Sequence, residues 1–261
     1  MTDFSTVVMT YNLWGRHLWP EREPALRAFL AAREPDILAV QELYPEVGAV
    51  VDDVLPRHVR VHDEFEGWSD ASGGNIWWRS DLYRLEDHGA EDIGIRKPAR
   101  RLFWARLRSL RLPGAAPLLL ATAHFSWAGY PQEEQDAVNP RIAQAERTVV
   151  ELDRLAGDGP CLFVGDLNDE HHPVRILRDA GFADSFTALG TSSPITSPVM
   201  PILRPEGNQP PKDIPRVIDY QFHRGRIRVR TSEVCEFFHE RVAPSDHKPV
   251  VATYTLFDGD G

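Results

Sequence analysis

Short apolar runs bounded by polar, glycine or proline residues recur along the whole chain. Runs of this length that are rich in β-branched and aromatic residues are typical of buried strands. They predict strands at residues 6–12, 37–41, 76–78, 118–124, 161–164, 217–222, 227–229 and 250–256. Residues 82–85 are the expected partner of strand 76–78. Residues 102–112 alternate apolar side chains with arginines, which predicts a half-exposed strand.

Helical periodicity occurs in fewer places between these runs. Residues 23–33 place Leu26, Phe29 and Leu30 on one face, with Pro24 in the first turn. Similar patterns predict helices at 47–55, 141–155 and 174–180, and a long loop rich in proline and serine at 187–215. Many strands with a few interspersed helices predict a layered α/β or α+β domain. Without repeats or a linker, residues 1–261 are expected to form one domain.

Composition narrows the class of protein. The 261 residues are 42% hydrophobic and 26% charged, as in ordinary soluble proteins. No apolar run approaches the ~18 residues of a transmembrane helix, and the N-terminus lacks the pattern of a signal peptide. Cys161 and Cys235 both lie in strand-like sequence, so we expect a reducing cytoplasm rather than disulfides. The net charge of −10 argues against avid binding of long duplex DNA, although a local basic groove can outweigh it.

Candidate chemistry lies where the predicted strands end. The run 161–164 leads into Gly-Asp-Leu-Asn, which presents Asp166 and Asn168 on the same side of an extended backbone. A carboxylate and a carboxamide there can orient a water or a phosphate beside a hard metal ion. Other strands end in polar residues too: Asn12, Glu42, His124, Asp219 and Asp246 with His247. Each alone is better explained by a cap, a solvated strand end, a turn or a core histidine, but together they indicate a site.

The ordered set of short motifs resembles the endonuclease/exonuclease/phosphatase superfamily, which includes DNase I-like nucleases, exonuclease III-like enzymes, neutral sphingomyelinases, inositol phosphatases and deadenylases. The resemblance covers nearly the whole chain. It is carried by Thr10-Tyr11-Asn12, Val40-Gln41-Glu42, Gly74-Asn75, Thr122-Ala123-His124, Gly165-Asp166-Leu167-Asn168, Ile218-Asp219-Tyr220 and Ser245-Asp246-His247. It implies a DNase I-like four-layered α/β sandwich, in which two mixed β-sheets pack face to face between helices.

The resemblance also implies a metal site. Glu42 would be the principal ligand of Mg²⁺, helped by Asn12 and Asp246, and Mn²⁺ would be able to substitute. A hard cation of this kind prefers oxygen ligands and keeps several waters.

Catalytic roles follow from the same resemblance. Asp166 would position or deprotonate the attacking water, and Asn168 would hold that water or a phosphate oxygen. His247, oriented by Asp219, would contact the phosphoryl group and assist proton transfer. His124 would donate to the developing charge or to the leaving oxygen. The expected substrate contacts are Asn75, Trp127, Tyr130 and Arg141.

Two departures from the exonuclease III-like pattern narrow the resemblance. Trp14 stands where abasic-site enzymes carry an acidic residue, and His124 stands where they carry a tyrosine. Both favour the two-histidine branch, which contains DNase I-like enzymes, sphingomyelinases and various phosphatases. The signatures of the inositol polyphosphate 5-phosphatases are absent from the sequence.

The loops and the arginines leave alternatives open. Trp127 and Tyr130 can stack on a base or an apolar leaving group, or pack a lid. Arginines at 224, 226, 228 and 230 are expected on one strand face, either tracking phosphates or protecting an edge strand. The basic cluster at 96–101 is equally ambiguous. A pair of histidines at 171–172 lacks a third residue for a zinc site.

We therefore expect a Mg²⁺-dependent hydrolase that cleaves a phosphodiester by attack of water. A nucleic acid or nucleotide is the first-ranked substrate, and a small-molecule or lipid phosphoester is the alternative. A catalytically silent binding module is disfavoured because Glu42, Asp166 and His247 are all present. A metal-independent esterase would need a Gly-x-Ser-x-Gly turn, which the sequence lacks. The protein is expected to be a cytoplasmic monomer.

Overall fold

The computed structural model describes residues 3–63, 68, 73–97, 99–129, 131–199 and 214–258. The strands are β1 (Asp3–Asn12), β2 (Ile37–Leu43), β3 (His58–Arg60), β4 (Gly73–Arg79), β5 (Tyr83–Glu91), β6 (Leu102–Ser109), β7 (Leu118–His124), β8 (Cys161–Asp166), β9 (Ala183–Asp184), β10 (Asp219–Arg224), β11 (Ile227–Val234) and β12 (Val250–Phe257). The helices are α1 (Glu23–Ala32), α2 (Pro45–Val54), α3 (Pro131–Asp136), α4 (Pro140–Ala156) and α5 (His172–Asp179).

Two six-stranded sheets carry the architecture. The first has the order β11-β12-β1-β2-β4-β3, and the second has the order β5-β6-β7-β8-β10-β9. Each is mixed, because β1 pairs parallel with β2 and β7 pairs parallel with β8 while their other neighbours run antiparallel. Helices flank the two sheets, so the predicted fold class is confirmed.

Three apolar layers hold the sheets and helices together. On each strand, every second residue packs between the sheets, as Val8, Ile37 and Leu120 do. The residues between them face the helices, because successive side chains of a strand point to opposite sides of the sheet. Met9 and Leu38 thus meet α1 and α2 on the first sheet. On the second sheet, another cluster joins the outer residues of β7 and β8 to α4 and α5.

The inner faces of both sheets become polar towards one end. Two positions after Val8 the same face carries Thr10. The amide of Gln41 donates to the hydroxyl of Thr10 at 3.0 Å and to that of Thr122, in the opposite sheet, at 2.8 Å. This buried bridge gives hydrogen-bond partners to polar groups that would otherwise destabilise the core. The next inward position of β1 is Asn12, so the sandwich opens there onto the candidate site.

Three sequence predictions about strands were wrong. Strand β5, expected to pair with β4, lies in the other sheet and pairs with β6. Strand β6 lies between β5 and β7 and is mostly buried rather than half-exposed. Arg224 ends β10 and is separated from β11 by the turn at Gly225, so the four arginines do not share one strand. Arg228 and Arg230 are exposed on β11, an edge strand, which favours the edge interpretation.

The long loop contains a short 3₁₀ turn at Thr187–Leu189, and its residues 200–213 lie outside the described part. Among the helices that are described, none has both the length and the apolar character needed to cross a membrane.

Gly165, in β8, occupies a position where a side chain cannot fit. Its φ is +147°, and an added Cβ would lie 2.2 Å from the carbonyl oxygen of Ala123 in the neighbouring strand. We expect Gly165→Ala to lower the free energy of unfolding by about 3 kcal/mol or more, measured by urea denaturation. The control is Gly190→Ala, where φ is +74° and no atom lies within 4 Å of the added Cβ. That variant should lose only about 1 kcal/mol, and equal losses would contradict the steric explanation.

Candidate active site

Strand register brings three of the predicted residues side by side. His124 is the parallel partner of Asp166, and Asp219 is the antiparallel partner of the same residue. The three side chains therefore lie at one level across β7, β8 and β10. The first sheet contributes Asn12, whose amide donates to Oδ2 of Asp166 at 3.0 Å across the gap between the sheets.

Asp166 is a buried carboxylate at the centre of this group. Its second oxygen accepts a hydrogen bond from the backbone N–H of Asn168 at 2.9 Å. Asn168 has a φ of +51°, and its amide donates to the carbonyl of Phe125 at 3.0 Å. Burial, followed by the negative charge of Asp219, raises the pKa of Asp166 to about 7. The carboxyl can therefore exchange a proton near neutral pH.

His247 and Asp219 form a buried pair. Nδ1 of the imidazole lies 2.9 Å from one oxygen of Asp219, and Nε2 lies 3.9 Å from Oδ2 of Asp166. Burial alone would lower the pKa of His247, but the charge and the hydrogen bond of Asp219 raise it well above the ordinary value. The pairing with Asp219 therefore favours the protonated form of His247, an imidazolium.

His124 has the opposite electrostatic environment. Its Nε2 lies 3.3 Å from Oδ2 of Asp166, and its Nδ1 lies 3.7 Å from Oε1 of Glu42. Burial, followed by the positive charge of Arg100, holds the pKa of His124 well below the ordinary value. Neutral His124 carries a single N–H, so one ring nitrogen donates a hydrogen bond and the other accepts one. Among the described residues, Nδ1 has no hydrogen-bond partner.

Glu42 and Asp246 supply two further carboxylates. Glu42 sits at an irregularity where the register of β2 against β4 shifts, and its φ is +53°. Burial raises the pKa of Asp246, and the negative charge of Glu42 adds to that effect. Two carboxylates that repel one another supply the oxygen ligands that a hard cation prefers.

A second set of possible ligands lies deeper in the site. One ligand atom from each of Asp166, Asp219 and His247 lies within 4.8 Å of the others. Nδ1 of His247 is already engaged by Asp219, so this set also suits a proton relay. Asn12 contacts Asp166 and accepts from the backbone N–H of Trp14 at 2.9 Å.

The four predicted substrate contacts are placed very differently. Trp127 is 46% exposed. Arg141 is buried and donates to the carbonyl of Ser126 and the carboxylate of Glu133, so it anchors the loop after β7 rather than facing an open site. Asn75 is buried too, with its amide on the carbonyl of Val61 at 3.0 Å. Tyr130 lies outside the described residues.

Three positioning residues were not predicted from the sequence. The hydroxyl of Ser245 donates to the carbonyl of Asn12 at 2.7 Å and accepts from the backbone N–H of His247 at 3.2 Å. Thr196 accepts from the backbone N–H of Asp219 at 3.1 Å. Arg100 belongs to the basic cluster at 96–101, whose role the sequence did not decide, and it lies 3.6 Å from Oε1 of Glu42. Only Ser245 carried a signal, since it begins the Ser-Asp-His motif.

Asp169 fixes the loop that follows Asp166. It accepts from the backbone N–H groups of His171 and His172, at 2.8 and 3.2 Å, and from the amide of Asn139 at 2.8 Å. Burial opposes ionisation, but these hydrogen bonds outweigh it and lower the pKa of Asp169 from 3.8 to about 2.

A carboxylate with a lowered pKa stabilises the fold above its unfolded pKa, and that stabilisation is lost as pH falls through the folded value. We expect Asp169→Asn to lower the free energy of unfolding by about 2 kcal/mol at pH 7, and the difference from wild type to shrink between about pH 4 and pH 2. Denaturation across this pH range measures it. The control is Asp158→Asn, because Asp158 is exposed. If Asp169→Asn lowers the free energy of unfolding by the same amount at every pH, the stabilisation does not depend on the ionised carboxylate.

Comparison with solved structures shows the same fold. Humanized Danio rerio TDP2 with 14 mutations superimposes with a TM-score of 0.76 at 19% identity, over 96% of this chain and 98% of that one. D. rerio TDP2 complexed with a single-strand DNA product gives 0.76 at 18%, with the same coverage. The mannosyl-6-phosphatase of Bacteroides thetaiotaomicron gives 0.71 at 17%, over 97% and 100%. No curated protein sequence matches the chain significantly.

A family model adds evidence from sequence. The model of the Endonuclease/Exonuclease/phosphatase family matches residues 9–247, from the first strand to the histidine of the Ser-Asp-His motif. The chain thus belongs to the endonuclease/exonuclease/phosphatase family, and it is a hydrolase that acts on phosphoric ester bonds.

Proposed function

We propose that this phosphoesterase is a Mg²⁺-dependent phosphodiesterase that cleaves nucleic acid or a nucleotide by attack of water. One observation carries the proposal. A carboxyl with a pKa of about 7, an imidazolium and a pair of repelling carboxylates share one end of the sandwich. These groups are what an in-line displacement at phosphorus needs, because it requires a base, a proton donor and neutralisation of charge.

Glu42 and Asp246 would hold the metal ion, with the carboxamide oxygen of Asn12 as a third donor. Enzymes of this family typically depend on a divalent metal, and oxygen donors favour Mg²⁺, with Mn²⁺ as a substitute. The chemistry supplied by the bound ion is Lewis-acid neutralisation of charge on the phosphoryl oxygens.

Asp166 acts as the general base that orients the attacking water and takes its proton. A base is most effective when its pKa lies near the working pH, and a pKa of about 7 meets that condition. The amide of Asn12 and the backbone of Asn168 fix both carboxylate oxygens, so the base is held in place before substrate binds. Asn168 would hold that water or a phosphate oxygen.

The two histidines divide the remaining work. His247, protonated and aligned by Asp219, donates to a phosphoryl oxygen and stabilises the charge that develops there. His124 remains neutral and donates a hydrogen bond, not a proton, through its N–H to the leaving oxygen. This pairing supports placing the chain in the two-histidine branch of the family.

Trp127 supports a nucleic-acid or nucleotide substrate. It lies shortly after His124 in the chain and exposes 46% of its surface, so it can stack on a base. A DNA product bound to D. rerio TDP2 supports the same class. The net charge of −10 favours the alternative, a small-molecule or lipid phosphoester, and a mannosyl-6-phosphatase has the same fold.

Hydrolysis of four substrates tests the proposal. Bis(p-nitrophenyl) phosphate, p-nitrophenyl phosphate, single-stranded DNA and plasmid DNA would each be incubated with Mg²⁺, with Mn²⁺ and with EDTA. We expect metal-dependent cleavage of the diester and of DNA. Cleavage of the small esters without DNA degradation would replace the nuclease by the small-molecule alternative. Failure on all four would overturn the proposed substrate class.

Asp166→Asn and His247→Ala are each expected to lower kcat by roughly 10²–10⁴-fold, because each removes a group that moves a proton. The thermal midpoint of Asp166→Asn should stay nearly unchanged, since Asp166 is a desolvated charge whose loss does not weaken the fold. His247→Ala should lower the midpoint, because it leaves the buried carboxylate of Asp219 without its partner. Kinetics on the diester, with thermal denaturation beside it, measures both effects. Asp184→Asn is a control for the opposite outcome, a loss of stability without a loss of activity. Asp184 is buried outside the site and paired with Arg178, so this variant should lose stability and keep its kcat.

Glu42→Gln is expected to raise the Mg²⁺ concentration needed for half-maximal activity by about tenfold or more, because one charged ligand is lost. A titration of activity against Mg²⁺ measures it. Glu34→Gln, which removes a carboxylate paired with Arg57 on the surface, should leave that concentration unchanged. Coincident titration curves for Glu42→Gln and wild type would exclude Glu42 as a ligand.

A further inference from the structure

A cavity of about 230 Å³ opens beside the catalytic groups. Most of its wall is apolar, with one exposed arginine at the rim; the residues that define this Trp14 pocket are Trp14, Leu18, Val199, Arg241, Val242 and Ala243. Leu18 is 65% exposed and Val242 is 39% exposed. Apolar side chains that face solvent around a concavity are typical of a ligand site.

The pocket is continuous with the catalytic groups. Asp246 and Ser245 form part of its lining. The backbone N–H of Trp14 donates to the side chain of Asn12, and that of Val199 donates to the carbonyl of Asp246 at 2.7 Å. A phosphoester bound at Asp246 would therefore extend one substituent into the pocket.

A buried arginine builds the pocket from two distant loops. The guanidinium of Arg22 donates to the carbonyls of Gly15 and His17 in one loop and to that of Pro244 in the other. Arg22 is only 1% exposed, and it lies 5.7 Å from the centre of the Trp14 ring. Since all three acceptors are backbone groups, this arginine fixes the shape of the wall whatever side chains the loops carry.

The backbone around the pocket is strained in the same way as the backbone of the catalytic group. Trp14, Leu18 and Arg241 have φ values of +57°, +49° and +69°. Left-handed conformations of this kind are unfavourable for residues other than glycine, and they cluster at functional sites. Glu42 and Asn168 in the catalytic group share this feature.

Size and charge define what fits. Whole-ligand sites have volumes of about 300–1,000 Å³, so 230 Å³ holds part of a molecule. Arg241 makes no ion pair within the described part of the chain, and a cation at the rim of an apolar pocket favours an aromatic ring over an alkyl chain.

We propose that the Trp14 pocket is a specificity subsite that binds an aromatic ring carried by the phosphoester substrate. This proposal rests on the proposed function only in assuming that the phosphoryl group binds beside Asp246.

Calorimetry with non-hydrolysable ligands tests the pocket without relying on turnover. Phenylphosphonate and methylphosphonate share the charged group and differ in the ring, and cyclohexylphosphonate separates ring shape from apolar size. With Mg²⁺ present, we expect phenylphosphonate to bind roughly tenfold or more tighter than methylphosphonate, and tighter than the cyclohexyl compound. Equal affinities for the phenyl and methyl compounds, or binding of neither, would overturn the proposal.

Two surface variants assign the preference to this pocket. Val242→Asn and Leu18→Asn each place a polar group against the ring, and both should reduce the phenyl-to-methyl affinity ratio towards one. Val150→Asn is the matched control, since Val150 is 63% exposed on α4 outside the pocket. Its ratio should equal that of wild type. A ratio that falls in Trp127→Ala but not in Val242→Asn or Leu18→Asn would place the ring elsewhere and overturn the proposal.

Hydrolysis separates this inference from the proposed function. The two diesters p-nitrophenyl phenyl phosphate and p-nitrophenyl methyl phosphate share a leaving group. We expect kcat/KM to be higher for the phenyl ester. If neither is cleaved while phenylphosphonate binds more tightly in the expected, variant-sensitive way, the pocket stands and the diesterase proposal fails. If both are cleaved at equal kcat/KM and the two phosphonates bind equally, the diesterase stands and the pocket fails.

Discussion

Burying several ionisable side chains at one point of an apolar sandwich is the constraint on which this structure depends. A carboxylate removed from water is unfavourable unless hydrogen bonds and opposite charges replace its solvation. Asp166 receives hydrogen bonds from Asn12 and from the backbone of Asn168, and the imidazolium of His247 lies nearby. These partners compensate only in part, since the pKa of Asp166 is still raised. That residual mismatch places the pKa of Asp166 near neutral pH, as the proposed role of general base requires, so the burial that opposes stability is consistent with the proposed function.

The sandwich can hold such a cluster because its inner faces change from apolar to polar in steps of two residues. Apolar side chains between the sheets give way to Thr10, Gln41 and Thr122, whose hydrogen bonds join the sheets. One step further along their strands lie Asn12 and His124. Register then aligns His124, Asp166 and Asp219 across three strands. A shift of one residue in any of these strands would turn its polar residue towards the helices, so the packed core enforces the geometry of the site.

Local pattern predicted the strands and the polar residues that end them, because both follow from apolar runs and their boundaries. It failed where the choice between possible partners depends on the three-dimensional fold. Strand β5 follows β4 directly, yet it pairs in the other sheet, and nothing in residues 82–85 encodes that choice. Arg141 was expected to face substrate, but its surroundings are set by α3 and the loop after β7. The roles of the site residues, the metal, the substrate and the single-domain boundary stay predictions, as does the two-histidine branch.

The two histidines show most clearly what a sequence cannot supply. His124 and His247 both stand near strand ends beside Asp166, and their ordinary pKa values are the same. Arg100 approaches His124 while Asp219 holds His247, so the pKa of one falls and that of the other rises. Arg100 and Asp219 come from different strands and loops, and only the folded chain brings them to these positions. In the proposed mechanism, a neutral and a charged imidazole beside one carboxyl give the site two hydrogen-bond donors of different charge, and this asymmetry is what a single carboxylate acting as base between them requires.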